Sequence, residues 1–173
     1  MAIVDILQYP DSDLRRKGEP VTDFGDAFQA VVDDMFETHY AAENCAALAA
    51  TQLNIPNAPH VTVIDFSEKK DQPLCLVNAK VVEKEGETFE GEGCMSVVLG
   101  YEKVRRAEKI KVKSQDRHGN PQNFEADGFM AKCIQHELDH LNGMLFIDHL
   151  SKLKLDRIRK RIEKNRRVSD KKA

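Results

Sequence analysis

The segment Gln135-His136-Glu137-Leu138-Asp139-His140-Leu141-Asn142-Gly143 decides how the rest of the chain is interpreted. At 3.6 residues per turn, His136 and His140 stand one turn apart on the same face of a helix, and Glu137 is rotated by about 100° from His136. Two imidazoles can therefore hold one metal ion, with a carboxylate beside it. This His-Glu-x-x-His arrangement is typical of sites in which a glutamate acts as a base on metal-activated water.

The residues that flank this segment favour a real helix over a chance occurrence of the pattern. Asp127 can cap the start of the helix, and Asn142-Gly143 supplies a left-handed stop. Apolar residues between these limits give the helix its buried faces: Phe129, Met130, Cys133, Ile134 and Leu141. We predict a helix over about 128–142, with the histidines at the border of a buried stripe and the pKa of Glu137 raised by partial desolvation.

Length and composition indicate one globular domain over residues 1–173. The chain has 173 residues, of which 41% are hydrophobic, enough to bury a core without crosslinks. Its four cysteines form no C-x-x-C pair, its first residues do not resemble a secretion signal, and no stretch approaches the ~18 apolar residues of a membrane span. We expect a reducing, cytoplasmic setting, in which thiols are free to bind metal.

The formal net charge of −3 conceals an asymmetry between the C-terminal end and the rest of the chain. Residues 150–173 contain 11 Lys and Arg against 3 Asp and Glu, so this end carries +8 and the remaining chain −11. Two interpretations stay open at this point. The basic end is either a solvated helix face or a docking surface for a polyanion such as ribosomal RNA.

Hydrophobic periodicity along the chain predicts a mixture of helices and short strands. Residues 1–24 carry turn signals and are expected to be irregular, with one short helical turn at most. The run of small residues over 44–52 is too short for a helix of its own, and two glycines around Cys94 indicate a loop over 91–96. The predicted elements are a helix over about 25–42, strands over 61–66, 74–78 and 79–84, a hairpin pairing 109–114 with 122–126, and a final amphipathic helix over about 151–166.

Two histidines leave a catalytic metal site one protein ligand short, because such sites commonly have three. Cys133 precedes His136 by three residues but is seven residues from His140, about 10 Å along a straight helix. Ligand bonds of about 2.0–2.3 Å would be badly strained over that length. Cys94 comes from a separate segment and can complete a His-His-Cys set, so we prefer it and interpret Cys133 as a wall of the pocket.

Three segments together resemble the peptide deformylases, enzymes that remove the N-formyl group from newly made bacterial proteins. They are Glu92-Gly93-Cys94-Met95-Ser96, the His-Glu-x-x-His segment quoted above, and Leu48-Ala49-Ala50-Thr51-Gln52. They occur in the family's order, and the similarity extends essentially from Ile3 to the basic C-terminal helix. A lone His-Glu-x-x-His is moderate evidence, whereas the three segments together are highly specific.

The resemblance implies a small α+β fold, with antiparallel sheets around the metal-binding helix, and a set of roles for the site residues. Cys94, His136 and His140 would be the metal ligands, and Glu137 would take a proton from water. The side-chain amide of Gln52 and the backbone N–H of Met95 would stabilise the oxyanion. In the family the ion is usually Fe²⁺, and Zn²⁺, Ni²⁺ or Co²⁺ can take its place, so the sequence does not select one.

The resemblance also implies the substrate and the partners. The substrate would be an N-formylmethionyl peptide of a nascent chain, whose first side chain enters an apolar pocket. Ala47, Leu48, Phe129 and Cys133 are the residues expected to line that pocket. The basic final helix corresponds to a family segment that can dock near the ribosomal exit tunnel, and neither a membrane nor DNA is expected as a partner.

The sequence departs from the family pattern near the substrate. The two glycines of the motif Gly-x-Gly-Leu-Ala-Ala-x-Gln are replaced by Cys45 and Ala47, with an extra residue just before them. A β-carbon at such positions can strain the backbone or obstruct the substrate. Val98 stands where proline is common, Tyr101 where close relatives have arginine, and Lys132 at a usually apolar position near the pocket.

These departures leave two alternatives to an active deformylase. The first is a deformylase-like metal-binding protein with weak or no deformylase activity. The second, less favoured, is a zinc peptidase built on the same helix. A thiolate ligand argues against the peptidase, because a carboxylate commonly serves as the third ligand in such enzymes.

Overall fold

The computed structural model describes residues 2–172 as an α+β fold in which antiparallel sheets enclose one central helix. The predicted fold class is confirmed. The helices are α1 (Asp26–Ala41), α2 (Gly128–Leu141) and α3 (Lys152–Lys172), with short 3₁₀ turns at Ser12–Arg15, Ala50–Gln52 and Phe146–His149. The strands are β1 (Ala47–Ala49), β2 (Val61–Ile64), β3 (Leu74–Glu85), β4 (Thr88–Cys94), β5 (Val97–Arg106), β6 (Lys109–Gln115) and β7 (Pro121–Asp127).

The larger sheet lies between α1 and α2. Its five strands are antiparallel in the order β1-β2-β3-β6-β7. Ala131, Ile134 and Leu138 of α2 pack on one side of it, while Phe28 and Val32 of α1 belong to a second core cluster with β2 and β3. All four residues of β2 are buried, as expected for a strand covered on both faces.

The strands β4 and β5 form a separate hairpin. Val97 and Val104 of this hairpin belong to a third core cluster with Phe146 and with Ile158 of α3. The packing of α3 on the hairpin therefore attaches the basic end of the chain to the body. No helix in the described part of the chain combines the length and the apolar character needed to cross a bilayer.

The strands predicted over 74–78 and 79–84 are one strand, β3, interrupted by a bulge. Asn78 has φ of +52°, and the register with β6 shifts between Val77 and Lys80. Asparagine tolerates this conformation better than most residues. Its side chain is also fixed, because Oδ1 accepts from the Val21 N–H at 2.9 Å and Nδ2 donates to Gln115 Oε1 at 2.7 Å.

Residues 91–94 are the end of β4, and Met95 and Ser96 form the turn of the β4–β5 hairpin, so the predicted loop over 91–96 is wrong for its first four residues. Gly91 and Gly93 lie within β4, and Cys94 is its last residue. A β-carbon on Gly91 would overlap the phenol ring of Tyr101 from the neighbouring strand. Gly91 therefore leaves space for the Tyr101 ring. The Cys94 thiol lies at the end of a strand and not in a loop.

The ends of the helices agree with the sequence prediction only in part. Helix α1 lies where it was predicted, and Gly143, with φ of +76°, follows the end of α2. Asp127 precedes α2, but its side chain makes no capping hydrogen bond, so the predicted cap is wrong. Helix α3 continues to Lys172, beyond the predicted end near 166.

Candidate metal centre

Three potential ligand atoms from two elements of the fold converge at one point. Cys94 Sγ, at the end of β4, lies 3.2 Å from His140 Nε2, which lies 3.2 Å from His136 Nε2. All three atoms lie within 4.8 Å of one another. Ligand bonds of about 2.0 to 2.3 Å at tetrahedral angles separate ligand atoms by roughly 3.3 to 3.6 Å. This set of one sulfur and two imidazole nitrogens therefore fits a single divalent transition metal ion.

Glu92 and Arg106 fix the orientation of His136. The Nδ1 atom of His136 lies 2.8 Å from Glu92 Oε1, and Arg106 donates two hydrogen bonds to the same carboxylate at 2.8 and 3.0 Å. Burial disfavours the charged form of Glu92, but hydrogen bonds from His136 and Arg106 outweigh this effect and lower its pKa to about 2. A carboxylate bound to Nδ1 leaves Nε2 of the neutral imidazole free to act as a ligand.

A chain of ionic contacts continues from Arg106 to the surface. Arg106 donates to Asp139 at 2.6 Å, and the Nε2 atom of His149 lies 2.8 Å from the same carboxylate. These residues line a cleft of about 1070 Å³ that contains none of the three ligand residues. Sequence reasoning did not assign roles to Glu92, Arg106 or Asp139. A role for Glu92 could have been inferred from the sequence, because Glu92 lies two residues before Cys94 and residues two apart on a strand share a face. The sequence around Arg106 contains no such indication.

Glu137 is a buried carboxyl group beside the ligand cluster. Burial raises its pKa to about 7, and its Oε2 atom has no hydrogen-bond partner among the described residues. Burial also lowers the pKa of His140 far below its usual range, which keeps that imidazole neutral, as metal ligation requires. A carboxyl group with an open oxygen and a pKa near neutrality suits the transfer of a proton.

Gln52 brings a side-chain amide to the same point. Its Oε1 atom accepts a hydrogen bond from the Ala49 N–H at 2.9 Å, so its Nε2 atom faces the cluster, 3.6 Å from Cys94 Sγ and 3.2 Å from Ser96 Oγ. The side chain is buried, with 1% exposure. The amide is therefore a fixed donor, which is the property that stabilisation of a developing negative charge requires.

A cavity of about 700 Å³ opens beside the candidate ligands. Its lining includes three of the four residues expected to form the substrate pocket, Ala47, Phe129 and Cys133, together with Met95. Leu48 does not line it, because this side chain is fully buried in the cluster between the sheet and α1. The placement of Leu48 in the pocket is therefore corrected. Burial raises the pKa of Cys133 to about 12, so this thiol is a neutral part of the wall.

Four of the five residues that depart from the resembled motifs line this cavity, namely Ala47, Val98, Tyr101 and Lys132, whereas Cys45 does not. Cys45 contacts the Nδ1 atom of His39 at 3.1 Å, and burial raises its pKa to about 12. His39 is itself buried, with 2% exposure. Val98 and Tyr101 line the cavity from the hairpin, where their side chains remain largely exposed.

A Cys-His-His cluster that could hold a metal ion, beside a buried glutamate and a fixed amide donor, is the arrangement expected of a metal-dependent hydrolase. The sequence profile of the polypeptide deformylase family matches residues 3–156, and the chain belongs to this family. The predicted resemblance is thereby confirmed.

Individual relatives agree with the family assignment. The chain is 65% identical over 163 residues to peptide deformylase 1 of Coxiella burnetii, which covers 94% of this chain and 96% of that protein. A crystal structure of a peptide deformylase from Legionella pneumophila superposes with a TM-score of 0.91 at 40% identity over 98% of both chains. A peptide deformylase from Ehrlichia chaffeensis in complex with actinonin gives a TM-score of 0.87 at 32% identity, over 95% of this chain and 98% of that chain.

Proposed function

We propose that this protein is a peptide deformylase, a hydrolase that removes the N-formyl group from the N-terminal methionine of newly synthesised proteins and releases formate. The observation that carries the proposal is the convergence of the Cys94, His136 and His140 ligand atoms beside a cavity that Cys94, His136, Glu137 and Gln52 line. The proposal takes residues 1–173 to act as one catalytic domain.

Metal binding and proton transfer are assigned to different residues of this chain. Cys94, His136 and His140 would hold the ion. When bound, a divalent ion supplies Lewis acidity that polarises the formyl carbonyl and acidifies water in the cavity. Glu137 accepts the proton of the attacking water and later delivers it to the departing amine nitrogen.

Two donors would stabilise the formyl oxygen as it gains negative charge. The Gln52 amide is held in place by the Ala49 N–H and is already turned toward the ligand cluster. The backbone N–H of Met95 is the second donor in this proposal, since Met95 follows Cys94 directly and lines the cavity. Fixed donors of this kind need no reorganisation at the moment of reaction.

We propose Fe²⁺ as the ion in the cell, with Zn²⁺ or Ni²⁺ able to occupy the same ligands in isolated protein. One thiolate and two imidazoles suit all of these ions. A cytoplasmic setting is part of the proposal, supported by free thiols at all four cysteines.

The proposal includes docking of α3 to the ribosome, supported by the exposed cations along this helix. Replacement of Lys160, Lys164 and Arg166 by Gln should weaken co-sedimentation with ribosomes and reduce its salt dependence. The control is Lys113→Gln, which removes one exposed charge on β6. Equal co-sedimentation of the two variants would contradict docking through α3.

The alternative of a weak or inactive deformylase-like protein is not favoured, given 65% identity to a curated deformylase. Formate release from a formyl-Met peptide by anaerobically purified, metal-loaded protein tests the proposed function. Glu137→Gln should keep the metal and lower kcat by at least about 100-fold, because it removes the base. Metal-loaded protein that releases no formate, or that cuts internal peptide bonds instead, would overturn the proposal.

A further inference from the structure

Lys132 places an ammonium group in the wall of the catalytic cavity. It lies on α2 one turn before His136, and its side chain is only 15% exposed. Its Nζ atom donates to the Gly91 carbonyl at 3.2 Å and lies 3.5 Å from Glu90 Oε2. Both Lys132 and Gly91 line the cavity, so the ammonium bridges α2 and β4 at its wall.

Lys132 lies on α2 at a distance from the ligand cluster that suits the far end of a substrate side chain. Four helical residues rise by about 6 Å, the distance along the axis from His136 to Lys132. A substrate with its formyl group at the ligand cluster has its first side chain a few bonds away. Lys132 and Cys133 both line the cavity, and the inference places the tip of an unbranched side chain of methionine length beside them.

We propose that Lys132 is a specificity-determining residue, which lets the enzyme accept formylated first residues whose side chain ends in a neutral oxygen acceptor. Methionine sulfoxide is the member of this class that is closest in shape to methionine. The inference rests on the proposed deformylase function and extends it from formyl-methionine to its oxidised form.

The hydrogen-bonding capacity of the ammonium supports this assignment. An ammonium has three N–H donors, and the described hydrogen bonds of Lys132 are to one carbonyl and one carboxylate, while its Nζ atom also lies 5.3 Å from the centre of the Phe129 ring. Glu90 is 62% exposed, so its ion pair with Lys132 is weak and can yield to a substrate oxygen. In an all-apolar pocket the sulfoxide oxygen would lose its hydrogen bonds to water without replacement, which lowers kcat/KM by roughly 10- to 100-fold.

Acidic side chains around the cavity disfavour substrates whose first side chain ends in a carboxylate. The proposed substrates are therefore those with a neutral oxygen acceptor. Glu43 and Glu137 line the cavity, and Glu90 contacts Lys132 from the neighbouring strand. A carboxylate at the tip of the substrate side chain would meet these acidic groups as well as the ammonium. Formyl-glutamate peptides should therefore be poor substrates compared with formyl-methionine sulfoxide peptides.

The test compares kcat/KM for three peptides, formyl-Met-Ala-Ser, the same peptide with methionine sulfoxide, and the same peptide with norleucine. Lys132→Met should lower the sulfoxide-to-methionine ratio by at least about 10-fold, because it removes the donor at similar side-chain length. Lys132→Arg keeps donors at this position and should retain most of the ratio. The matched control Lys113→Met removes an exposed lysine on β6 and should leave every ratio unchanged.

The results of this experiment distinguish a failure of the role proposed for Lys132 from a failure of the proposed deformylase function. A sulfoxide-to-methionine ratio that is the same in wild type and Lys132→Met overturns the role of Lys132, even where formyl-Met is hydrolysed well. An equal change in the norleucine-to-methionine ratio also overturns it, because both side chains are apolar. Absence of formate from formyl-Met in metal-loaded wild type defeats the proposed function, and the inference with it.

Discussion

At the scale of single residues, Glu92 connects His136, a proposed metal ligand, to a buried ion pair. Its carboxylate contacts His136 on one side and Arg106 on the other, and the Glu92 and Arg106 side chains are 3% and 5% exposed. Removal of one partner of such a pair leaves an uncompensated buried charge. Glu92 is therefore both an orienting group for His136 and a structural link between the hairpin and α2.

Glu92→Gln should weaken metal binding by about 10- to 100-fold, because the amide holds the His136 tautomer less firmly than a carboxylate does. Competition with a chromophoric chelator measures the affinity. The matched control is Glu87→Gln, on a carboxylate that pairs with Arg105 at the surface, where the two side chains are 60% and 70% exposed. An affinity for Glu92→Gln equal to that of the control would contradict the orienting role.

The sequence allowed the three residues of the cluster to be proposed as ligands because their chemistry is local. His136 and His140 share a helix face, and Cys94 was chosen by the strain that Cys133 would impose. Arg106 could not be found in this way. It reaches Glu92 only through the register of the β4–β5 hairpin, and no pattern in one sequence fixes that register.

At the scale of elements, the end of α2 depends on a glycine with two separate constraints. Gly143 has φ of +76°, and a β-carbon there would lie 2.5 Å from the Arg15 carbonyl oxygen. Gly128, at the start of the same helix, has φ of +53° with nothing within 4 Å of such a β-carbon. Alanine substitutions at the two glycines therefore distinguish the cost of backbone strain, which applies at both positions, from the cost of steric overlap, which applies only at Gly143.

Gly128→Ala should lower the free energy of unfolding by about 1 to 2 kcal/mol through strain alone. Gly143→Ala should cost about 1 to 3 kcal/mol more, because the Arg15 backbone must also move. Urea unfolding of the two metal-loaded variants measures the difference. Equal costs would show that the overlap at Gly143 is relieved without penalty.

Asp65 ties the end of β2 to α1 and to the following loop. It is 4% exposed and accepts hydrogen bonds from Tyr40 Oη at 2.7 Å and the Ser67 N–H at 3.0 Å. Burial favours the neutral form, but the hydrogen bonds from Ser67 and Tyr40 outweigh it and lower the pKa of Asp65 below its usual 3.8. A lowered pKa in the folded state stabilises the fold above pH 3.8, and this contribution is lost as pH falls through the folded-state value.

Asp65→Asn should therefore lower the free energy of unfolding by about 1 to 3 kcal/mol near pH 7. The difference from wild type should narrow as pH falls from about 3.8, the usual pKa, through the lower pKa that Asp65 has in the folded protein. Chemical denaturation across this range, in parallel for the two proteins, measures it. A difference that stays constant down to low pH would contradict the assigned pKa shift.

Helices were easier to predict than the hairpin that carries Cys94. The period of 3.6 places α1 and α2 because each buries one face against the sheet. The glycines of β4 indicated a loop, since their role depends on Tyr101 of another strand. The bulge at Asn78 was missed for a similar reason, because its hydrogen bonds join Val21 and Gln115, which are distant in sequence.

At the scale of the whole molecule, the fold brings a strand end and a helix face together around one point. The hairpin that carries Cys94 is not part of the five-stranded sheet, and it packs with Phe146 and α3. Composition and periodicity predicted the α+β class, but the strand order depends on long-range pairing that neither reveals. The length of α3 was also underestimated, because its last residues have no apolar period to count.

The central claim is that one sulfur and two imidazole nitrogens from this chain bind a single metal ion. X-ray absorption spectroscopy of the zinc-loaded protein tests it most directly. We predict one sulfur neighbour at about 2.3 Å and two imidazole nitrogens at about 2.0 to 2.1 Å, with the sulfur signal lost in Cys94→Ser. A first shell without sulfur in the wild-type protein, or a sulfur signal that persists in Cys94→Ser, would contradict the account.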